Sequence, residues 1–214
     1  MSTLMRAPRH CGSWFWDLDE VMTPGLDSAL SVAMRMIDAL KGFDLFSPAA
    51  LEYKWYVLDS GPTGVESRLT IADPPGGSNL SERVSGSRPA AFSSAEPGTL
   101  HFVGSGAWLD AEGNLRRESR LVDISVTPDP TNLIAELSVH HDIWSWFDFS
   151  GRPHPEVYNR NAPRLADALR EITSVLGVDP EPGEPTYFGH AVGYGVSTGD
   201  ADENGLGLDV TDHL

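Results

Sequence analysis

Apolar and polar positions alternate most regularly between residues 120 and 139. Val122, Ile124 and Val126 recur at every second position, and so do Leu133, Ala135, Leu137 and Val139. A period of two is that of a strand with one buried face. Two strands are predicted here, over 120–126 and 133–139, with Thr127, Pro128, Asp129 and Pro130 as the break between them. Residues 52–58 and 100–109 add strand formers, the last interrupted by Gly104 and Gly106, and residues 14–18 read as a short first strand or an aromatic plug. Residues 186–196 give a final strand whose glycines point to bulges or close backbone approach. Successive strands joined by short turns imply antiparallel pairing.

Two segments carry the helical period instead. Leu26, Leu30, Ala33, Ile37 and Leu40 follow a cap at Thr23 and Pro24, and Gly42 ends the run. Ala29, Val32, Met34 and Met36 make this helix apolar over most of its circumference, which predicts burial. The second helix is predicted to start at a cap on Asn161, with Pro163 in its first turn. Leu165, Ala168, Leu169, Ile172, Val175 and Leu176 form its apolar stripe; Arg164, Asp167, Arg170, Glu171 and Ser174 face water; Gly177 and Pro180 stop it. Residues 73–98, rich in Gly, Pro and Ser, read as a long loop or a linker, and 199–214 as an acidic tail. The expected fold is one α+β domain over 1–214, an antiparallel sheet with two main helices packed on one face.

Composition narrows the function. A 40% hydrophobic fraction with 9% aromatics supports a core, while 21 Gly and 16 Pro demand many turns. Fifteen basic against 31 acidic residues give a net charge of -16. Such a surface repels nucleic acid and anionic lipid, and steers a basic partner, although acidity also serves solubility alone. The single cysteine, Cys11, allows no internal disulfide and no C-x-x-C pair. The basic N-terminus has no apolar run behind it, and no stretch of 18 apolar residues exists, so neither export nor membrane insertion is expected. The expected location is the cytoplasm, where the acceptor pattern Asn79–Ser81 has no meaning.

Candidate chemistry concentrates in residues 140–154. His140 and His141 are adjacent at a strand end, so alternation sends them to opposite faces. With no H-x-H or H-E-x-x-H spacing, no metal and no cofactor are expected. A catalytic pair is chemically reasonable, with Asp142 or Asp148 orienting His140 or His141, but no nucleophile stands beside it. Trp144, Trp146, Phe147 and Phe149 either pack this loop or form a docking patch. Gly195–Gly199 matches G-x-S-x-G, yet an acidic tail rather than a helix follows Ser197, so the match is read as chance. Asp200–Gly205 matches the first half of a calcium loop. Its second half fails, with Leu208 at a ligand position and Thr211 where the bidentate Glu belongs, leaving an acidic loop or docking face. The pairs Gly104/Gly106 and Gly193/Gly195 open no helix and give no nucleotide site, and Asp148–Gly151 lacks every other kinase element.

Asn161-Ala-Pro-Arg-Leu165, preceded by His140-His-Asp-Ile-Trp144 and Gly151-Arg-Pro-His154, resembles a class of small actinobacterial proteins, the immunity proteins that neutralise polymorphic toxins. High Gly and Pro with little Lys agree with a high-GC bacterium. The resemblance spans roughly residues 100–196. It implies a cytosolic, acidic, non-catalytic binding protein, and it transfers no functional residue. The leading expectation is a protein that sequesters a basic toxin through Asp142, Trp144, Trp146, Asp148, Phe149, Asp200, Asp202 and Glu203. The rival is a small-molecule enzyme, for instance of secondary metabolism, that uses His140 or His141 with Asp142 or Asp148. A structural subunit of a larger assembly is a third reading. A concave pocket holding His140 or His141 beside a carboxylate favours the enzyme; a flat acidic surface with exposed Trp favours binding.

Overall fold

Leu133, Ala135, Leu137 and Val139 are fully buried, as are Ile124 and Val126 beside them, so the alternation does mark the core face of a sheet. A computed structural model describes residues 4–58, 60–71, 80–129 and 131–214. Its strands are β1 (Gly12–Asp17), β2 (Ser47–Val57), β3 (Gly61–Thr70), β4 (Glu96–Pro97), β5 (Leu100–Leu109), β6 (Leu115–Ser119), β7 (Asp123–Asp129), β8 (Asn132–Val139), β9 (Glu181–Pro182), β10 (His190–Val192) and β11 (Gly195–Ser197). The helices are α1 (Leu26–Lys41), α2 (Leu80–Gly86) and α3 (Pro155–Leu176).

The fold is α+β. Seven strands follow the order β3-β2-β5-β7-β8-β1-β9 in one sheet, with β4 added beside β2 and β6 beside β5. Every pairing in it is antiparallel. β10 and β11 form a separate hairpin. The two long helices pack on one face. α1 inserts Ala29, Val32, Ala33, Met36, Ile37 and Leu40, and α3 inserts Val157, Leu165, Ala168, Leu169 and Ile172, all buried. Trp14, Trp16, Trp55, Trp144, Phe102 and Phe149 complete that core. Each such side chain contributes roughly 1.5–3 kcal/mol by leaving water. The opposite face of the central strands carries Glu52 and Lys54 of β2, His101 of β5, Asp123 and Ser125 of β7, and Glu136 and Ser138 of β8.

Several expectations need correction. α3 begins at Pro155, six residues before the proposed cap; Pro155 suits the first helical position, and Pro163 lies inside the helix. Asn161 is therefore not a cap. It is buried, and its carboxamide bonds to the backbone of Leu109. Arg164 does not simply face water, for it donates to the carbonyls of Ala107 at 2.9 Å and Phe43 at 2.6 Å. β5 runs unbroken through Gly104 and Gly106, which have no room for a side chain: a Cβ would lie 2.4 Å from the Ser47 carbonyl and 2.2 Å from that of Leu45. β7 starts later than residue 120 and continues through Thr127, Pro128 and Asp129. Arg120 stands in the turn before it at φ 53. The expected strand at 186–196 is the β10–β11 hairpin, turning at Gly193 and Tyr194. The stretch 73–98 contains α2 and β4, while residues 72–79, including Asn79, lie outside the described residues, as does Pro130. No helix among the described residues is long and apolar enough to cross a membrane.

Candidate functional site

The helix-free face of the sheet is concave, and its main depression has a volume of about 420 Å³. β8 lays Glu136, Ser138 and then His140 along its floor, because these positions alternate with the buried Leu137 and Val139. β7 adds Asp123 and Ser125, β5 adds His101, and the turn before β7 adds Arg120. The N-terminal segment closes one side with Arg6 and Pro8. It is held there by the Ala7 N–H, which donates to the His140 carbonyl at 2.8 Å. A second, smaller depression continues across His101 to the rows Glu52/Arg68 and Lys54/Glu66, where opposite charges pair across β2 and β3.

Asp123 is the centre of this site. One of its oxygens accepts from Arg120 Nε at 3.0 Å; the other accepts from Arg6 Nη2 at 3.1 Å and lies 3.5 Å from His140 Nε2. Glu136 accepts from the Ser125 hydroxyl at 3.3 Å. Burial holds the His140 imidazole below its ordinary range, against the pull of the Asp123 charge, and so favours the neutral ring. His101 is lowered by burial and by the Arg120 charge. Burial raises Glu136, with the Ser125 bond opposing.

The residues of the 140–154 turn do not gather into one catalytic set. His140 lies in the depression, while His141 is 1% exposed on the other side, as strand alternation requires. Asp142 is 1% exposed; it accepts the Met5 N–H at 3.3 Å rather than orienting an imidazole. Asp148 caps its own turn, accepting from the Ser150 N–H, the Ser150 hydroxyl and the Arg152 N–H. The carboxylate beside His140 is Asp123, which sequence reasoning missed. Alternation puts Asp123 on the polar face at the start of β7, but only the register, which sets it opposite Ser138, two positions from His140, brings the two together. Among the described residues, no group of three or more His, Cys, Asp or Glu side chains is arranged to hold a metal ion. Cys11 is buried, its thiol donates to the carbonyls of Val139 and His141, and burial pushes its pKa up, away from a reactive thiolate.

The proposed docking patch is also redistributed. Trp144 and Phe149 are 0% and 1% exposed and Asp142 is buried with them, so none of the three presents a surface to a partner. Trp146 does, at 44% exposure, with its ring edge-on to Tyr158. Asp200, Asp202 and Glu203 are exposed. Their segment is anchored to the aromatic turn: the Gly207 N–H donates to the Gly151 carbonyl and the Val210 N–H to that of Phe149. Gly207 lies directly against the Phe147 ring. Asp202 accepts from the Asn204 and Leu206 N–H groups, and the Leu206 bond leads in keeping it below the usual carboxylate range. The calcium-like half-loop is thus a turn closed on its own carboxylate. Ser197 ends β11 in a hairpin strand, with no helix directly after it to form a nucleophile turn.

Comparison with known proteins found no matching family model, no matching curated protein and no matching solved structure.

Proposed function

We propose that this chain is a non-enzymatic binding protein that holds and neutralises a basic protein, in the manner of an immunity protein set against a toxin. One observation carries the reading. The segment 199–214 contains Asp200, Asp202, Glu203, Asp209 and Asp212 with no Lys or Arg, and it is bonded onto the turn whose Trp146 is exposed. Leu206 and Leu208, 45% and 68% exposed, stand among these acids. A rim of carboxylates around apolar side chains fits a cationic partner with an apolar anchor. The long-range field of -16 charges speeds its encounter. Of the contacts expected from the sequence, Trp146, Asp200, Asp202 and Glu203 remain in this reading; Asp148 serves its turn.

The test is growth rescue. Where a neighbouring gene encodes a secreted protein with a toxic C-terminal domain, that domain is expressed in a heterologous bacterium, with and without this chain. Rescue that fails on triple reversal of Asp200, Asp202 and Glu203 to Lys, together with an association rate that falls with added salt, supports the proposal. Failure of the intact chain to rescue growth or bind the domain overturns it.

A second reading, a small-molecule enzyme, is favoured by the concave site itself, where His140 stands 3.5 Å from Asp123. In that reading Asp123 replaces Asp142 and Asp148 as the group that orients the imidazole.

A further inference from the structure

We propose that the depression on the helix-free sheet face is a binding site for a small organic oxyanion, gripped by Arg6 and Arg120. The inference is independent of protein docking at the acidic C-terminal segment. Its basis is the economy of charge around Asp123. Each Asp123 oxygen takes one guanidinium, by Nη2 of Arg6 and by Nε of Arg120. The shared carboxylate therefore acts as a strut that sets two guanidinium groups side by side. Among the described residues neither Arg6 nor Arg120 makes a further side-chain hydrogen bond, so most of the N–H donors on both forks are unspent there. A planar fork with free donors is the group best shaped to grip a carboxylate or phosphate.

Among the other lining groups, His101 and His140 supply ring nitrogens, while Glu136 opposes an anion and is engaged only by the Ser125 hydroxyl. The volume of about 420 Å³ suits a small molecule and is far too small for a folded partner. Arg120 adds an independent mark, since it is held at φ 53, a left-handed conformation that is costly for a residue with a Cβ. Burial of the next two side chains, Leu121 and Val122, holds the turn in that shape. The result brings Arg120 within hydrogen-bond reach of Asp123 while leaving its side chain 45% exposed. The lining sets these two arginines against two acids, Asp123 and Glu136, so the depression carries no net formal charge on a protein with 31 acidic and 15 basic residues.

The experiment uses the full chain labelled with 15N and follows its arginine Nε–H signals at constant ionic strength. Sodium benzoate and inorganic phosphate are the probes, and benzamide, the neutral match of benzoate, is the control. The expected result is saturable shifts of the Arg6 and Arg120 signals with a dissociation constant of about 10 mM or tighter. Benzamide should leave these signals unmoved. Arg6→Gln and Arg120→Gln should each weaken binding by about tenfold, and Arg117→Gln, on the exposed side of β6, should not. Arg6 lies in the N-terminal segment, so its variant serves if the strained Arg120 turn does not tolerate change. Tighter phosphate than benzoate assigns a phosphate ester, and the reverse a carboxylic acid. Shifts that fail to saturate for both anions, or that benzamide reproduces, overturn the proposal.

Discussion

The side-chain carboxamide of Asn161 takes both backbone groups of Leu109: Oδ1 accepts its N–H at 2.9 Å and Nδ2 donates to its carbonyl at 2.8 Å. Leu109 pairs with Leu115 of β6 on its other side, and β7 pairs with β5 only from Leu100 to Phe102. Asn161 therefore does for the end of β5 what a neighbouring strand does elsewhere. Asn161→Ala leaves a donor and an acceptor unmet in a buried place and should cost about 2–4 kcal/mol in urea unfolding. Asn161→Asp keeps the acceptor but loses the donor and buries a charge, so it should be no milder at neutral pH. A loss below about 0.5 kcal/mol for the alanine variant would mean that water serves Leu109 equally well.

Gly106 shows the same closeness of backbone from the other side. Its Cβ position lies 2.2 Å from the Leu45 carbonyl oxygen and 2.8 Å from Leu121 Cδ2. The first obstacle is backbone, and the second is the end of a fully buried side chain. Gly106→Ala must push β5 away from the chain entering β2 and should destabilise by about 1–3 kcal/mol or more. Gly86 is the contrast, at the end of α2 with open space around its Cβ position. Gly86→Ala should be neutral or stabilise by about 0.4–1 kcal/mol, by restricting the unfolded chain. Thermal denaturation of the pair separates steric need from mere glycine content.

These two positions also show what the sequence could and could not display. The strands with one wet and one dry face were legible, since β8 alternates cleanly and the apolar Ile124 and Val126 of β7 share its core face. β6 was not, because Leu115–Ser119 has no buried position and owes its strand form to pairing with β5. β3 alternates only between partly and fully exposed residues, and α2 buries Val84 alone, so neither shows a stripe. Asn161 carried a true signal with the wrong meaning, since an asparagine that bonds backbone at a helix start also bonds backbone at a sheet edge. The site divides in the same way. Alternation places His140 and His141 on opposite faces, but Asp123, Arg120 and Arg6 reach His140 only through strand register and the fold-back of the N-terminus. No local pattern encodes that meeting.

Trp144 and Trp146 separate packing from exposure two residues apart. Trp144 is fully buried, and Trp144→Ala should cost about 3–5 kcal/mol and lower solubility. Trp146 is 44% exposed, with its ring edge-on to Tyr158, so Trp146→Ala should cost about 1–2 kcal/mol, well below the loss at Trp144. If Trp146 is an anchor for the basic partner, the same variant should speed dissociation while leaving the unfolding midpoint nearly in place. Equal stability losses at both positions would contradict the placement of the turn.

Asp142 should leave a pH signature. Its burial raises it from 3.8 to about 7, with the Asp148 charge adding to the shift and the Met5 N–H opposing it. The folded chain thus holds this proton more tightly than the unfolded chain does. The stability so gained is complete below the unfolded value near 3.8 and is lost as pH rises through about 7. His141 runs the other way. Burial, followed by the Arg6 and His140 charges, lowers it to about 4, so its contribution is present above 6.5 and is lost as pH falls through 4. Between about pH 4 and 6.5 the two slopes oppose, and the parent chain should show little net change from this pair. Asp142→Asn removes one slope and leaves the other. The variant's stability relative to the parent should therefore rise from pH 4 to 7, by an amount on the order of a few kcal/mol, and level off above. Taking the difference cancels His141 and every other titrating group common to both chains. Urea midpoints at half-unit steps of pH measure it directly, and a flat difference would show that Asp142 titrates as a solvated carboxylate, incompatible with its place beneath the N-terminal segment.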